Sequence, residues 1–175
     1  MDGSNQRQLT RNQAWEYGTS WSPDGKHIVF GSRRDGAWQI YIMQADGSEQ
    51  TLVPDTGGGN APAWSPDGRT IAFTSDRTGN DSIYAMDAEG GNVRRLTIDD
   101  HHNDNAMWSP DGKQIVFSSN RDGNNEIYVM NADGSGATNL TNNPALIHDV
   151  PAWSPDGRTI SFTAVGHDPR PFWLT

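Results

Sequence analysis

Residues 62–97 read PAWSPDGRTIAFTSDRTGNDSIYAMDAEGGNVRRLT. Within this stretch, TIAFTS and SIYAMD alternate apolar and polar residues with a period near two, as half-buried strands do. SPDG, DRTGN and AEGG fall between them as turn clusters. In Ser-Pro-Asp-Gly, Pro presets φ for the second turn position, Asp suits the third, and Gly takes the positive φ that follows. The stretch therefore predicts four strands: A, APAWS; B, TIAFTS; C, SIYAMD; and D, the more polar NVRRLT. No segment of the chain carries a convincing helical apolar period.

The pattern recurs. WSPDG occurs four times, at Trp21, Trp64, Trp108 and Trp153, at intervals of 43, 44 and 45 residues. Nine residues after each Trp stands Phe30, Phe73, Phe117 or Phe162, and twenty after it Tyr41, Tyr84, Tyr128 or Trp173. The offsets are constant, so the length differences fall in loops. A unit of this size with four antiparallel strands predicts a propeller blade, which cannot bury both its faces alone and stacks on neighbours around an axis. The blades are expected over about 14–53, 58–97, 102–141 and 147–175, the last completed by residues 1–10. That last expectation comes from counting: Leu9 precedes Trp21 by 12 residues, as Leu52 precedes Trp64 and Leu96 precedes Trp108. Residues 1–10 are thus expected to be the outer strand of the final blade, latching a ring.

The quoted stretch, with WSPDG, F-[ST]-S-[DN]-R and I-Y-x-M-[DN]-A-[DE]-G together, resembles the TolB-type β-propeller repeat, a WD-repeat-like blade, in four copies across essentially the whole chain. Copy four departs most, with AVGHDPRPFWLT and no Arg in its B–C loop. The resemblance implies an all-β propeller, protein recognition at the channel mouth, and a periplasmic or secreted setting. Propellers of this type usually have six or more blades, so two closures stay open: a compact four-bladed monomer, or a homodimer forming an eight-bladed ring. The cut between strands C and D, with no linker, also admits an excised or engineered four-blade piece with no activity of its own.

The chain has 175 residues, 13 Lys and Arg against 22 Asp and Glu, and a formal net charge of −9. That balance excludes a nucleic-acid partner, which needs a basic stripe, and suits a cationic ligand, a metal or a partner with basic groups. No cysteine is present, which excludes disulfides, thiolate metal sites and cysteine catalysis. No apolar run reaches the roughly 20 residues of a membrane helix, and the polar N-terminus lacks a signal-peptide pattern.

In a propeller the A strands line the channel, and the D–A and B–C connections share its functional mouth. The candidate ligand-binding residues there are Glu16, Tyr17, Asn60, His102, Asp104, His148 and Asp149. DDHHNDN, residues 99–105, is the richest stretch, and Asp104 and Asp149 both stand four residues before a Trp. Two carboxylates in one channel would hold a divalent cation or ordered water, the one cofactor the pattern suggests. Against it, no fixed-spacing metal motif is present, and Asp and Asn also simply terminate strands. The four Asp of SPDG are explained by turn chemistry. Arg34, Arg77 and Arg121, each thirteen after a Trp, read as structural ties to loop carbonyls or acidic groups. Trp15 and Trp38 break the repeat and are candidates for a binding or subunit contact. No G-x-S-x-G elbow exists, so the chain is expected not to be an enzyme. A metal-dependent lyase-like propeller would rest on His101, His102 and His148 alone.

Overall fold

The alternating stretches become strands where the pattern places them. The computed structural model describes residues 4–166, and the described residues contain strands and turns without helix. The first blade comprises β1 (Glu16–Trp21), β2 (His27–Ser32), β3 (Gln39–Gln44) and β4 (Thr51–Leu52); the second, β5 (Asn60–Trp64), β6 (Thr70–Ser75), β7 (Ser82–Asp87) and β8 (Arg94–Arg95). The third holds β9 (Asn103–Trp108), β10 (Gln114–Ser119), β11 (Glu126–Asn131) and β12 (Thr138–Asn139); the fourth, β13 (Leu146–Trp153) and β14 (Ile160–Gly166). Each of the first three is an antiparallel meander, paired in chain order. The outer strands pair over two residues only, less than the polar NVRRLT pattern suggested, because the blade edge is solvated and needs little ladder.

Cross-strand pairing explains the constant aromatic offsets. Phe30 faces Tyr41, Phe73 faces Tyr84 and Phe117 faces Tyr128. Their ring centroids lie 5.7 to 5.8 Å apart. These pairs anchor the contact between blades: Val29, Ile40 and Val53 of the first pack on Ile71, Phe73, Tyr84 and Met86 of the second. Ala72, Ile83 and Leu96 of the second pack on Ile115, Phe117, Tyr128 and Met130 of the third.

The SPDG turns lock in the same direction. Ser22 Oγ donates to Asp24 Oδ1 at 2.7 Å, which also accepts from the Lys26 N–H, and Gly25 takes φ 70°. The other three copies repeat this bond set. It holds all four Asp carboxyls below the usual range, the Ser hydroxyl being the largest cause and the backbone N–H next. Between blades, a Cβ built on Gly68, Gly112 or Gly157 would touch the ring of Pro23, Pro66 or Pro110 of the preceding blade at 3.6 to 3.8 Å.

Leu9 packs on Ile28, Phe30, Tyr41 and Met43 of the first blade. It lies against Gly47, as Val53 lies against Gly90 and Leu96 against Gly134. It therefore sits where the outer strand of a preceding blade would end. Residues 6–10 form no strand, and the proposed partner strand containing Trp173, with residues 1–3 and 167–175 generally, lies outside the described residues. Neighbouring blades pack in chain order, β1 on β5, β5 on β9 and β9 on β13, with no comparable contact between β1 and β13 among the described residues.

Candidate functional site

Each inner strand carries one irregularity at the same place. The ladder shifts register after Tyr17, Asn60, Asp104 and Asp149, and the next residue has positive φ: Gly18 57°, Ala61 45°, Asn105 55° and Val150 51°. These bulges re-aim the preceding side chain. Ala61 and, above all, β-branched Val150 hold this conformation against steric preference. At the first of these positions only glycine fits, since a Cβ on Gly18 would come within 2.6 Å of Ala61 Cα.

The re-aimed groups form a connected polar line. Tyr17 Oη donates to Asn105 Oδ1 at 3.3 Å, and Asn105 Nδ2 donates to Asp149 Oδ1 at 3.0 Å. Asp149 Oδ1 also accepts from Ser118 Oγ at 2.6 Å and from the Val150 N–H. Asp104 Oδ1 accepts from Thr74 Oγ1 at 2.8 Å and from the Asn105 N–H. Each carboxylate thus clasps a hydroxyl of the preceding blade and keeps Oδ2 without a donor among the described residues. Burial pushes the Asp104 carboxyl above its ordinary range, with the charges of Asp81 and Asp149 adding to it, and the Thr74 and Asn105 bonds offset this only in part. Burial also raises the Tyr17 phenol, with Asp104 and Asp149 as further causes. The line borders a cavity of about 310 Å³, walled by Ala61, Pro62, Met107, Val150 and Pro151 among others.

The remaining candidates go elsewhere. Asn60 opens β5 opposite Thr74. Glu16 Oε1 accepts from Arg34, Ser32 and Asn12. His102 is exposed, with Nδ1 3.2 Å from Asp81 Oδ2. His148 is 3% exposed and does not reach the channel mouth. Its Nδ1 lies 3.1 Å from Glu126 Oε2, an ion-pair distance without hydrogen-bond alignment, and its ring meets Phe162 edge-on. Burial raises the Glu126 carboxyl, but bonds from Thr141, Asn124 and the Asn143 N–H, with the His148 charge, bring it below its usual range. Asp104 and Asp149 are brought together with Tyr17 and Asn105; His102 and His148 are not. Among the described residues, no three His, Asp or Glu side chains gather as a metal ligand set.

In the first and third blades the recurrent arginines explain the position five before Trp, Glu16 and Asn103. Each guanidinium lies 4.3 to 4.6 Å from the Tyr41, Tyr84 or Tyr128 ring centroid and donates through Nε to Ser32, Ser75 or Ser119. Arg34 then reaches Glu16, Arg77 the Asp55 carbonyl, and Arg121 both Asn103 and Asp99. Asp99 sits below its ordinary range although burial, the largest single influence, raises it; bonds from Asn103 and the His101 N–H, and the Arg121 charge, outweigh burial. Copy four has Gly166 in place of Arg, so His148, the counterpart of Asn103, turns to Glu126 instead. Asn105 and the hydroxyls of Thr74 and Ser118 were missed from sequence. The signal was there: a Thr or Ser recurs ten after Trp in copies two to four. Trp15 is 78% exposed, and Trp38, half-buried, lies 6.2 Å from the Tyr17 ring.

Known proteins share this architecture. TolB from Acinetobacter baumannii is similar at 28% identity and a TM-score of 0.80, over 92% of this chain and 40% of that one, so the chain spans well under half of that protein. A putative TolB from Agrobacterium tumefaciens matches at 24% identity and 0.74, over 93% and 74%. An oligogalacturonate lyase from Vibrio parahaemolyticus matches at 13% identity and 0.54, over 92% and 62%, a likeness of fold alone. The repeat family itself matches residues 52–117 and 102–167, and with the blades, turns and aromatic pairs described above, this chain belongs to the TolB beta propeller domain family.

Proposed function

We propose that the chain is a non-catalytic propeller scaffold that binds a protein or peptide partner at the channel. The cavity bordered by Tyr17 and by Asn105, whose amide is held by Asp149, carries this reading. Asn105, which lines the cavity with Met107, Val150 and Pro151, is bonded to both Asp104 and Asp149, so two carboxylates with one oxygen each lacking a donor among the described residues back an apolar wall, a mixture that suits an amide or ammonium donor flanked by apolar groups. Resemblance to TolB-type propellers supports a periplasmic setting. A lyase-like metal site would need His101, His102 and His148 in the channel, whereas His148 is enclosed against Glu126 and His102 pairs with Asp81.

The test is an NMR titration with a blocked peptide carrying one lysine between apolar residues. Saturable shifts at Gly18, Asn105 and Val150, lost in Asp149→Asn, are expected. Shifts that ignore that substitution, or none, refute the reading. A self-association reading rests on the seat of Leu9 ahead of the first blade and on the absence, among the described residues, of a β1–β13 contact comparable with those between the other blades: a second copy would close an eight-bladed ring. A solution mass of one chain, rather than two, rejects it.

A further inference from the structure

The face opposite the channel mouth carries the SPDG and C–D turns, and between the first two blades it opens a groove of about 470 Å³. Its apolar wall is Trp64, Ile42 and Pro23. The indole is fixed by donating from Nε1 to the Gly68 carbonyl at 3.1 Å, and the His27 ring lies 6.4 Å from it, tilted by 33°. Asp24, Asp67 and Glu89 are the acidic members of the lining, and no Lys or Arg contributes to it. The turn bonds keep Asp24 and Asp67 ionised. Lys26 lies 3.6 Å from Asp24 Oδ2, and Arg69 acts on Asp67 from the matching turn position, but both basic side chains stay outside the lining, where the carboxylates face the groove with Glu89.

The repeat supplies an internal comparison. The equivalent groove between the second and third blades, about 440 Å³, has Trp108 for Trp64 and the turn pair Asp67 and Asp111 for Asp24 and Asp67. Its lining includes Arg94, from the outer strand β8. The position equivalent to Arg94 in the first blade is Thr51, thirty after the Trp. So the tryptophan position and the paired carboxylates occur twice, once with a guanidinium of the chain and once without, although the Trp108 indole donates to the Ala63 carbonyl of the preceding blade where Trp64 donates to Gly68.

We propose that the groove between the first and second blades binds a guanidinium or alkylammonium group from outside, held over Trp64 and against Asp67 and Glu89. An aromatic face beside fixed carboxylates is the combination that selects organic cations. Trp64 also borders the channel cavity, but Asp24, Asp67, Gly68 and Glu89 line this groove and not that one, so the site does not depend on the channel reading.

The experiment titrates the labelled chain by NMR with acetyl-arginine amide, with a blocked Gly-Arg-Gly peptide, and with acetyl-glutamate amide as the control of opposite charge. Saturable shifts are expected at the Trp64 indole and at Gly25, Gly68 and Gly90 for both cationic probes only. Glu89→Lys, which places a cation at the rim of an exposed turn, weakens binding by about tenfold or more. Arg94→Ala opens the second groove, so the Trp108 indole becomes a second responding site. Tighter binding of the peptide than of the amide identifies a basic chain as the source, and equal affinity identifies a free small cation. The proposal is overturned if no cationic probe saturates, if the glutamate control gives the same shifts, if Glu89→Lys binds unchanged, or if Trp108 stays silent in Arg94→Ala. The spectra themselves show whether each variant is folded.

Discussion

Replacing Arg121 by Met removes the guanidinium while keeping much of the aliphatic stem. The group lies 4.5 Å from the Tyr128 centroid, 2.8 Å from Asn103 Oδ1 and 3.0 Å from Asp99 Oδ2. Loss of the cation–π contact costs about 1 kcal/mol. Loss of the charge-assisted bonds to Asn103 and Asp99 adds about 1–2 kcal/mol, the low end for charged partners because both side chains keep about a quarter of their exposure, 21% and 26%. The expected total is about 2–3 kcal/mol. Arg77→Met loses an equivalent stack at 4.6 Å, but its outer partner is a carbonyl, Asp55 O at 2.7 Å; its expected loss is about 1 kcal/mol smaller. Urea unfolding at constant m reads both values. The pH dependence separates them further. Asp99 is held low in the folded state, so its contribution is present above its unfolded pKa and fades as pH falls through the folded value. The two variants should therefore converge in acid. If Arg121→Met unfolds at the wild-type urea midpoint, or if the gap between the variants persists below the carboxylate range, the structural role of these arginines is refuted.

Three further outcomes are expected. Asp104→Asn keeps the Oδ1 acceptor used by Thr74 and the Asn105 N–H but removes a charge that burial, Asp81 and Asp149 disfavour; the variant should melt higher at neutral pH and converge with wild type in acid, as calorimetry would show, and an unchanged or lower melting point contradicts the account. Burial and the carboxylates of Asp35 and Asp122 push Tyr41 and Tyr128 up to about 12 from 10.0. Both favour the neutral phenol in the fold, so roughly 2–3 kcal/mol each is present below the unfolded pKa and lost as pH rises through the folded value; Tyr41→Phe with Tyr128→Phe should flatten that alkaline loss in a denaturation series, and a curve as steep as wild type rejects it. Val150 holds φ 51° at an exposed channel position, so Val150→Gly should stabilise the chain by about 0.5–1 kcal/mol by chemical denaturation, and destabilisation would mean the bulge is not strained.

Strands B and C were legible almost to the residue, because alternation and fixed turn chemistry act within a few positions of one another. TIAFTS and SIYAMD coincide with β6 and β7. The inner-strand bulges were not legible. Gly18 and Asn105 tolerate positive φ, but Ala61 and Val150 adopt it against their own preference, which local sequence does not announce. His148 looked like a ligand at the mouth; its burial depends on Glu126, on a different blade, and on the missing arginine of copy four. The recurrence of Arg34, Arg77 and Arg121 was sufficient to indicate a structural role, since one role repeated in every ordinary blade needs no knowledge of the ring.

The contact between successive SPDG turns has a consequence for how such chains grow. At each of the three junctions between successive copies the earlier one offers a proline ring and the later one a glycine, while Gly25 of the first copy meets nothing among the described residues. The joint is head-to-tail, so it has no natural end until the circle is complete. A duplication that inserts one more unit brings both halves of its own joint with it, and a deletion removes both. Blade number can then drift between relatives while the contact geometry stays the same, and only the final step, joining the two ends of the row, must be solved anew each time.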